Sequence, residues 1–165
     1  MLHKYSVTLS KIKNPYNLPH SFKRFCDKHP FMLSMKTKYA LRALSKLSRE
    51  YGKGPVPISD IAKSEGIPRR FLENILQELK KLSIVNSLMG KNGGYFLTEP
   101  PENISLFPVI QHCEESIGLI NCVSETNPGD CFFCKDISSC KTHSVFADIR
   151  DYTILKLKET TLKNL

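Results

Sequence analysis

The chain has 165 residues, of which 41% are apolar and 24% charged, and a formal net charge of +8. That is the make-up of an ordinary globular chain with room for one domain and one further element. No apolar run approaches the ~20 residues needed to span a membrane, and no long apolar stretch of a secretory signal follows the N-terminus, so a cytoplasmic protein without a membrane partner is expected.

The charge is unevenly spread. Met1–Met35 carries +5, Lys36–Pro101 carries +6, and Glu102–Leu165 carries −3. A basic front and an acidic rear are what a chain needs if only its front neutralises phosphates. No basic amphipathic helix with aromatic anchors points to an anionic membrane instead.

Residues 1–34 are basic and irregular, with prolines at 15, 19 and 30 and one cysteine, Cys26, outside any cluster. Three readings stand side by side. The segment is a disordered basic arm, or an acid-poor transit-like peptide, or no part of the working protein, since Met32 and Met35 stand just before the first good helix. That helix is predicted over Thr37–Tyr51, with Ala40, Leu44, Leu47 and Tyr51 on one side, and Gly52 and Gly54 stop it.

Pro57–Tyr95 organises the rest. Ser59 is expected to cap a short helix through its hydroxyl, with Asp60 favoured by the helix dipole and Gly66 at the helix end. Pro68 then sits where a second helix begins. A short helix, a glycine turn and a longer helix is the arrangement of a DNA-reading pair. In the longer helix Leu72, Ile75, Leu76, Leu79 and Leu82 recur at helical spacing. Arg69, Arg70, Glu73, Asn74, Gln77, Lys80 and Lys81 are the polar remainder, the side-chain types that meet phosphates and base edges. A charged face is common on surface helices; the glycine turn before it and the hairpin after it give it meaning here. Ile84–Leu88 and Tyr95–Thr98 read as that hairpin, a wing whose Gly90, Gly93 and Gly94 supply positive φ angles and whose tip carries Lys91.

A further helix is expected from Ser105, with Val109, Ile110, Cys113 and Ile117 on one face. A loop follows, and then a last helix from Cys140 to about Lys163. Its apolar residues Val145, Phe146, Ile149, Tyr152, Ile154, Leu155, Leu157 and Leu162 cover more than one face, so a second copy of the chain is expected against it. The expected fold is mainly α with a small β wing: a winged helix-turn-helix over 35–117, a cysteine-rich loop over 118–140 and a dimerisation helix over 141–165.

Cys122, Cys131, Cys134 and Cys140 are followed by His143. In a cytosolic chain such clustering favours metal or redox chemistry, a bound metal or a thiol switch, over disulfides. Cys131, Cys134, Cys140 and His143 have the make-up of a zinc site. Three cysteines with a non-thiolate fourth ligand equally suit an iron–sulfur cluster. Spacing leaves both open. Cys113 reads as a small core residue. No phosphate-cradling loop, paired carboxylates or Ser/His/Asp arrangement appears, and no enzymatic activity is expected.

Thr37-Lys-Tyr-Ala-Leu-Arg-Ala, Pro57-Ile-Ser-Asp-Ile-Ala, Phe71-Leu-Glu-Asn, Gly90-x-x-Gly-Gly-Tyr95 and the cysteine loop before a terminal helix resemble the iron–sulfur winged-helix regulators of the Rrf-two family, the group of the Isc and nitric-oxide-sensing repressors. The resemblance runs from about Met35 to the end. It implies a homodimer on a pseudo-palindromic DNA operator. It also implies an iron–sulfur cluster, 2Fe–2S in preference to 4Fe–4S, on Cys122, Cys134 and Cys140, with a histidine ligand near the last cysteine that His143 matches. Two departures stand out: Cys131 is additional, and Met89 occupies a wing position that the family often gives to arginine.

Overall fold

The computed structural model describes residues 33–90, 92–114, 116–125 and 137–165. The extension up to Met32, Lys91, Cys131 and Cys134 lie outside the described residues.

Helix α1 spans Met35–Arg49. It starts two residues before the expected Thr37 because Ser34 caps it, its Oγ accepting the Thr37 N–H at 3.2 Å. Thr37, Ala40, Ala43, Leu44 and Leu47 are buried along one side. Tyr51 does not extend that side as expected. The helix has ended by Arg49, the chain turns through Gly52 at φ +79°, and Tyr51 is left exposed.

Helix α2, Ile58–Glu65, ends at left-handed Gly66 as expected, but Ser59 does not cap it. Val56 exchanges two backbone hydrogen bonds with Tyr95, at 2.8 and 2.9 Å, which holds the chain extended up to Pro57. The helix therefore starts immediately after Pro57, whose carbonyl accepts from Asp60 and Ile61. Ser59 falls inside the first turn and donates to Asp60.

Helix α3 covers Arg69–Lys81, with Pro68 at the cap position rather than inside. Leu72, Ile75, Leu76 and Leu79 are buried against α1 and the wing, while Leu82, at the helix end, is only partly covered. Burying a leucine or isoleucine stabilises by roughly 1.5–3 kcal/mol, so this stripe fixes where the opposite face points. The helix closes through Ser83, in the left-handed region at φ +59°, with Ile84 N–H bonding back to the Leu79 carbonyl at 3.1 Å.

Strands β1, Val85–Leu88, and β2, Gly94–Leu97, pair antiparallel, Val85 opposite Leu97 and Leu88 opposite Gly94. Of the three wing glycines only Gly90 has a positive φ, +112°. The other two are needed for close approach instead. A Cβ on Gly93 would lie 2.3 Å from the Leu88 carbonyl oxygen, and one on Gly94 would lie 2.3 Å from that of Val56.

Helix α4, Phe107–Cys113, begins after Ser105 and takes Pro108 in its first turn. It is too short to include Ile117, which packs on the core from the following segment. Helix α5 runs over Lys141–Glu159 and stops before the expected Lys163. There the chain leaves the helix and stitches to the stretch before α4: Leu106 N–H bonds to the Thr160 carbonyl and Leu162 N–H to the Ile104 carbonyl, each at 2.9 Å. Leu162, expected on the helix, is buried in the core from a short 3-10 turn.

Candidate nucleic-acid interface and cysteine segment

Because α3 sinks one stripe into the core, its opposite side is presented as a unit. Arg70, Asn74, Gln77 and Lys81 recur at helical spacing and are all exposed. None of the four is engaged by another side chain among the described residues. The remaining sequence-predicted contacts are partly occupied within the chain. Arg69 pairs with Glu73 one turn on, at 3.3 Å, and the Lys80 ammonium donates to Ser87 Oγ on β1 at 2.8 Å, tying helix to wing. No acidic residue stands in the first turn of α3, so the positive helix end and Arg70 act together. Phe71, singled out in the sequence only as part of a motif, is half exposed and meets Tyr39 edge-on at 6.0 Å.

The wing contrasts with this polar stripe. Met89 is 95% exposed, and Leu88 and Phe96 are exposed as well, so the described part of the wing is neutral and partly apolar.

On the flank of α3 the Glu78 carboxylate joins three helices. Its Oε2 receives Lys36 Nζ of α1 at 2.6 Å and lies 2.9 Å from His112 Nε2 of α4. The Lys36 bond, and to a smaller extent that of His112, hold its carboxyl below the usual glutamate range. Nearby, Glu114 accepts the Ser34 N–H at 2.7 Å and the Thr37 hydroxyl, fastening the end of α4 to the start of α1. Cys113 packs half-buried against the core, and burial pushes its thiol up, which suits a core residue rather than a ligand.

Beyond α4 lies the cysteine segment. Cys122 sits in a 3-10 turn, Asn121–Val123, packed on α5. Arg150 of α5 donates to the Val123 carbonyl at 2.8 Å and pairs with Glu125 at 3.9 Å. Glu125 in turn accepts from Ser116 Oγ and the Ile117 N–H. Cys140 caps α5, its Sγ accepting the His143 N–H at 3.5 Å. No acidic residue stands in the first turn of α5, and cysteine sulfur is a ligand for soft metals. Among the described residues no three His, Cys, Asp or Glu side chains converge to hold a metal. The structure thus describes Cys122, Cys140 and His143 without bringing them into one ligand set, while Cys131 and Cys134 fall outside its description.

Helix α5 is 19 residues long and buries none of them fully. Leu157 packs against the core, but Val145, Ile149, Tyr152 and Leu155 are exposed, Tyr152 at 69%. No described helix is long and apolar enough to cross a membrane.

A family model described as Rrf2, iron-dependent transcriptional regulator, matches residues 33–165. An rrf2-like HTH-type transcriptional regulator of Rhodobacter capsulatus is 32% identical over 81% of this chain and 91% of its own length. The HTH-type transcriptional regulator IscR of Escherichia coli is 30% identical over 81% of this chain and 78% of its own. Among solved structures, CymR, the global cysteine regulator of B. subtilis, superposes with a TM-score of 0.66 at 25% identity, covering 80% of this chain and 93% of that one. IscR of T. potens gives 0.62 at 26% identity, over 80% and 83%. These relatives are transcription regulators, and the helix–turn–helix with its two-stranded wing is the fold they share with it. This chain belongs to the Rrf2 family of winged-helix transcriptional regulators, the Rrf-two family that its sequence motifs resemble.

Proposed function

We propose that the protein binds a pseudo-palindromic DNA operator as a homodimer and that an iron–sulfur cluster held by its cysteine segment sets the affinity. The observation that carries the DNA reading is the exposed Arg70–Asn74–Gln77–Lys81 stripe, backed by four buried apolar residues. Two amides and an arginine suit base edges in a major groove, and the lysine suits phosphate. Arg69, Glu73 and Lys80 flank the stripe, and Lys91 is assigned to phosphate or the minor groove.

The exposed apolar line on α5 supports a dimer in which two such helices cover each other. Two-fold symmetry would then present two copies of α3 to successive major grooves.

Cys122, Cys134 and Cys140 are assigned as cluster ligands, with His143 or Cys131 as the fourth. The donor set suits such a group: cysteine sulfurs are the ligands iron–sulfur clusters take, and the Cys140 Sγ stands at the N-terminus of α5, where it accepts a backbone N–H. Bound there, a 2Fe–2S cluster would supply a redox- and nitric-oxide-sensitive centre. The Cys122 turn is tied through Val123 to Arg150 on α5, so the order of this segment bears on the dimer helix. A coupling of about 1–3 kcal/mol would change operator affinity roughly 5–150-fold.

Anaerobic purification with iron and sulfide analysis tests the cofactor: two irons and two sulfides per chain with visible absorbance are expected. A colourless protein with one zinc per chain would overturn the cluster in favour of a structural zinc. A metal-free one would leave a thiol switch, a reading that the likeness to a global cysteine regulator supports.

A further inference from the structure

The Glu78 node lies between the two regions whose coupling the proposed function requires. Glu78 is on α3, next to Gln77 and within one turn of Asn74 and Lys81. One oxygen of its carboxylate serves both Lys36 of α1 and His112 of α4. Helix α4 ends one residue after His112, at Cys113, and the chain passes through Glu114 towards Cys122. Among the described residues the end of α4 is attached by polar contacts to α1 through Glu114 and Cys113 and to α3 through His112. Of these, the His112 contact is the one that touches the DNA-reading helix.

The three side chains are each about one-third exposed, at 33%, 33% and 34%. An ion pair that wet contributes little to stability. A bias of that size leaves the buried packing of α3 in place and still changes the population of one pose of its exposed stripe by a fewfold.

We propose that Glu78 is a positioning residue for DNA binding: through His112 it makes the pose of α3 follow α4, and so follow the segment that leads to Cys122. This rests on the DNA-binding reading of α3 and needs no particular metal. Lys36 ties the node to α1 and His112 ties it to α4.

The test is a double-mutant cycle on the full chain. The probe is a duplex that the wild-type protein selects from a randomised pool, titrated with wild type, E78Q, H112A, H112K and E78Q/H112A. H112A is expected to weaken binding about two- to fivefold, the range open to a partly exposed pair, with an unchanged melting temperature. H112K, which keeps a nitrogen donor opposite Glu78, should restore binding. In the E78Q background H112A should have no further effect. If H112A binds as tightly as wild type, or if the two effects simply multiply, the node does not position α3 and the proposal fails. If wild type selects no duplex at all, the DNA reading itself fails and takes the node with it.

Discussion

Helices α3 and α5 are both rich in apolar residues, yet they use them in opposite ways. The 13 residues of α3 sink Leu72, Ile75, Leu76 and Leu79 into one core and leave a polar stripe outside, with Phe71 beside it. The 19 residues of α5 bury none fully: Phe146, Ile154 and Leu157 are half covered by their own chain, while Val145, Ile149, Tyr152 and Leu155 face out. One apolar line requires one neighbour, and two lines require two. The reading head is thus finished by its own described residues, whereas among the described residues one line of the last helix has no cover, the line that the proposed dimer would close. That division suits a protein whose head must keep its shape while its tail responds.

Breaking the head should therefore have the largest effect. Leu76→Ala is expected to lower unfolding free energy by about 2–5 kcal/mol, seen as a shifted denaturant midpoint, and to abolish DNA binding with it. Breaking the tail should spare the head. The double variant V145D/Y152D is expected to weaken self-association by about 2–4 kcal/mol, converting dimer to monomer by sedimentation while head helicity persists. A dimer that survives both charges would place the interface elsewhere. Changing the exposed stripe should touch function alone: Arg70→Ala is expected to cost about 1–3 kcal/mol of duplex binding without moving the melting temperature. The smallest change sharpens the head: Ser83→Gly relieves a left-handed serine at the end of α3 and is expected to stabilise by about 0.5–1 kcal/mol, measured by thermal unfolding.

The head was the more legible region because its signals are local. Four apolar residues at one period and a glycine at a left-handed helix end define α2 and α3 within a short window of sequence. The misses there were matters of tertiary contact. Ser59 has the side chain of a cap, but pairing of Val56 with Tyr95 sets the helix start two residues earlier than that cap implies. Gly93 and Gly94 have the spacing of turn glycines, whereas each makes room for a carbonyl. At the tail, Leu162 continued the apolar pattern of α5, yet hydrogen bonding to residues 104–106 drew it out of the helix and into the core. No local pattern signals a pairing across more than fifty residues. The Glu78 node went unseen for the same reason, since Lys36, Glu78 and His112 are ordinary surface residues until the fold gathers them. Of the cysteine set, the donors are marked in the sequence by their clustering, and the structure adds that Cys140 stands at the cap of α5 with its Sγ accepting the His143 N–H.

The most direct test compares one preparation in two states. Duplex binding is measured for anaerobically purified protein, with its cluster, and for the same protein after chelation under reducing conditions, at fixed salt. The account predicts affinities that differ roughly 5–150-fold, with the head equally folded in both. Equal affinities in the two states would contradict it, leaving a DNA-binding head that the cysteine segment does not govern.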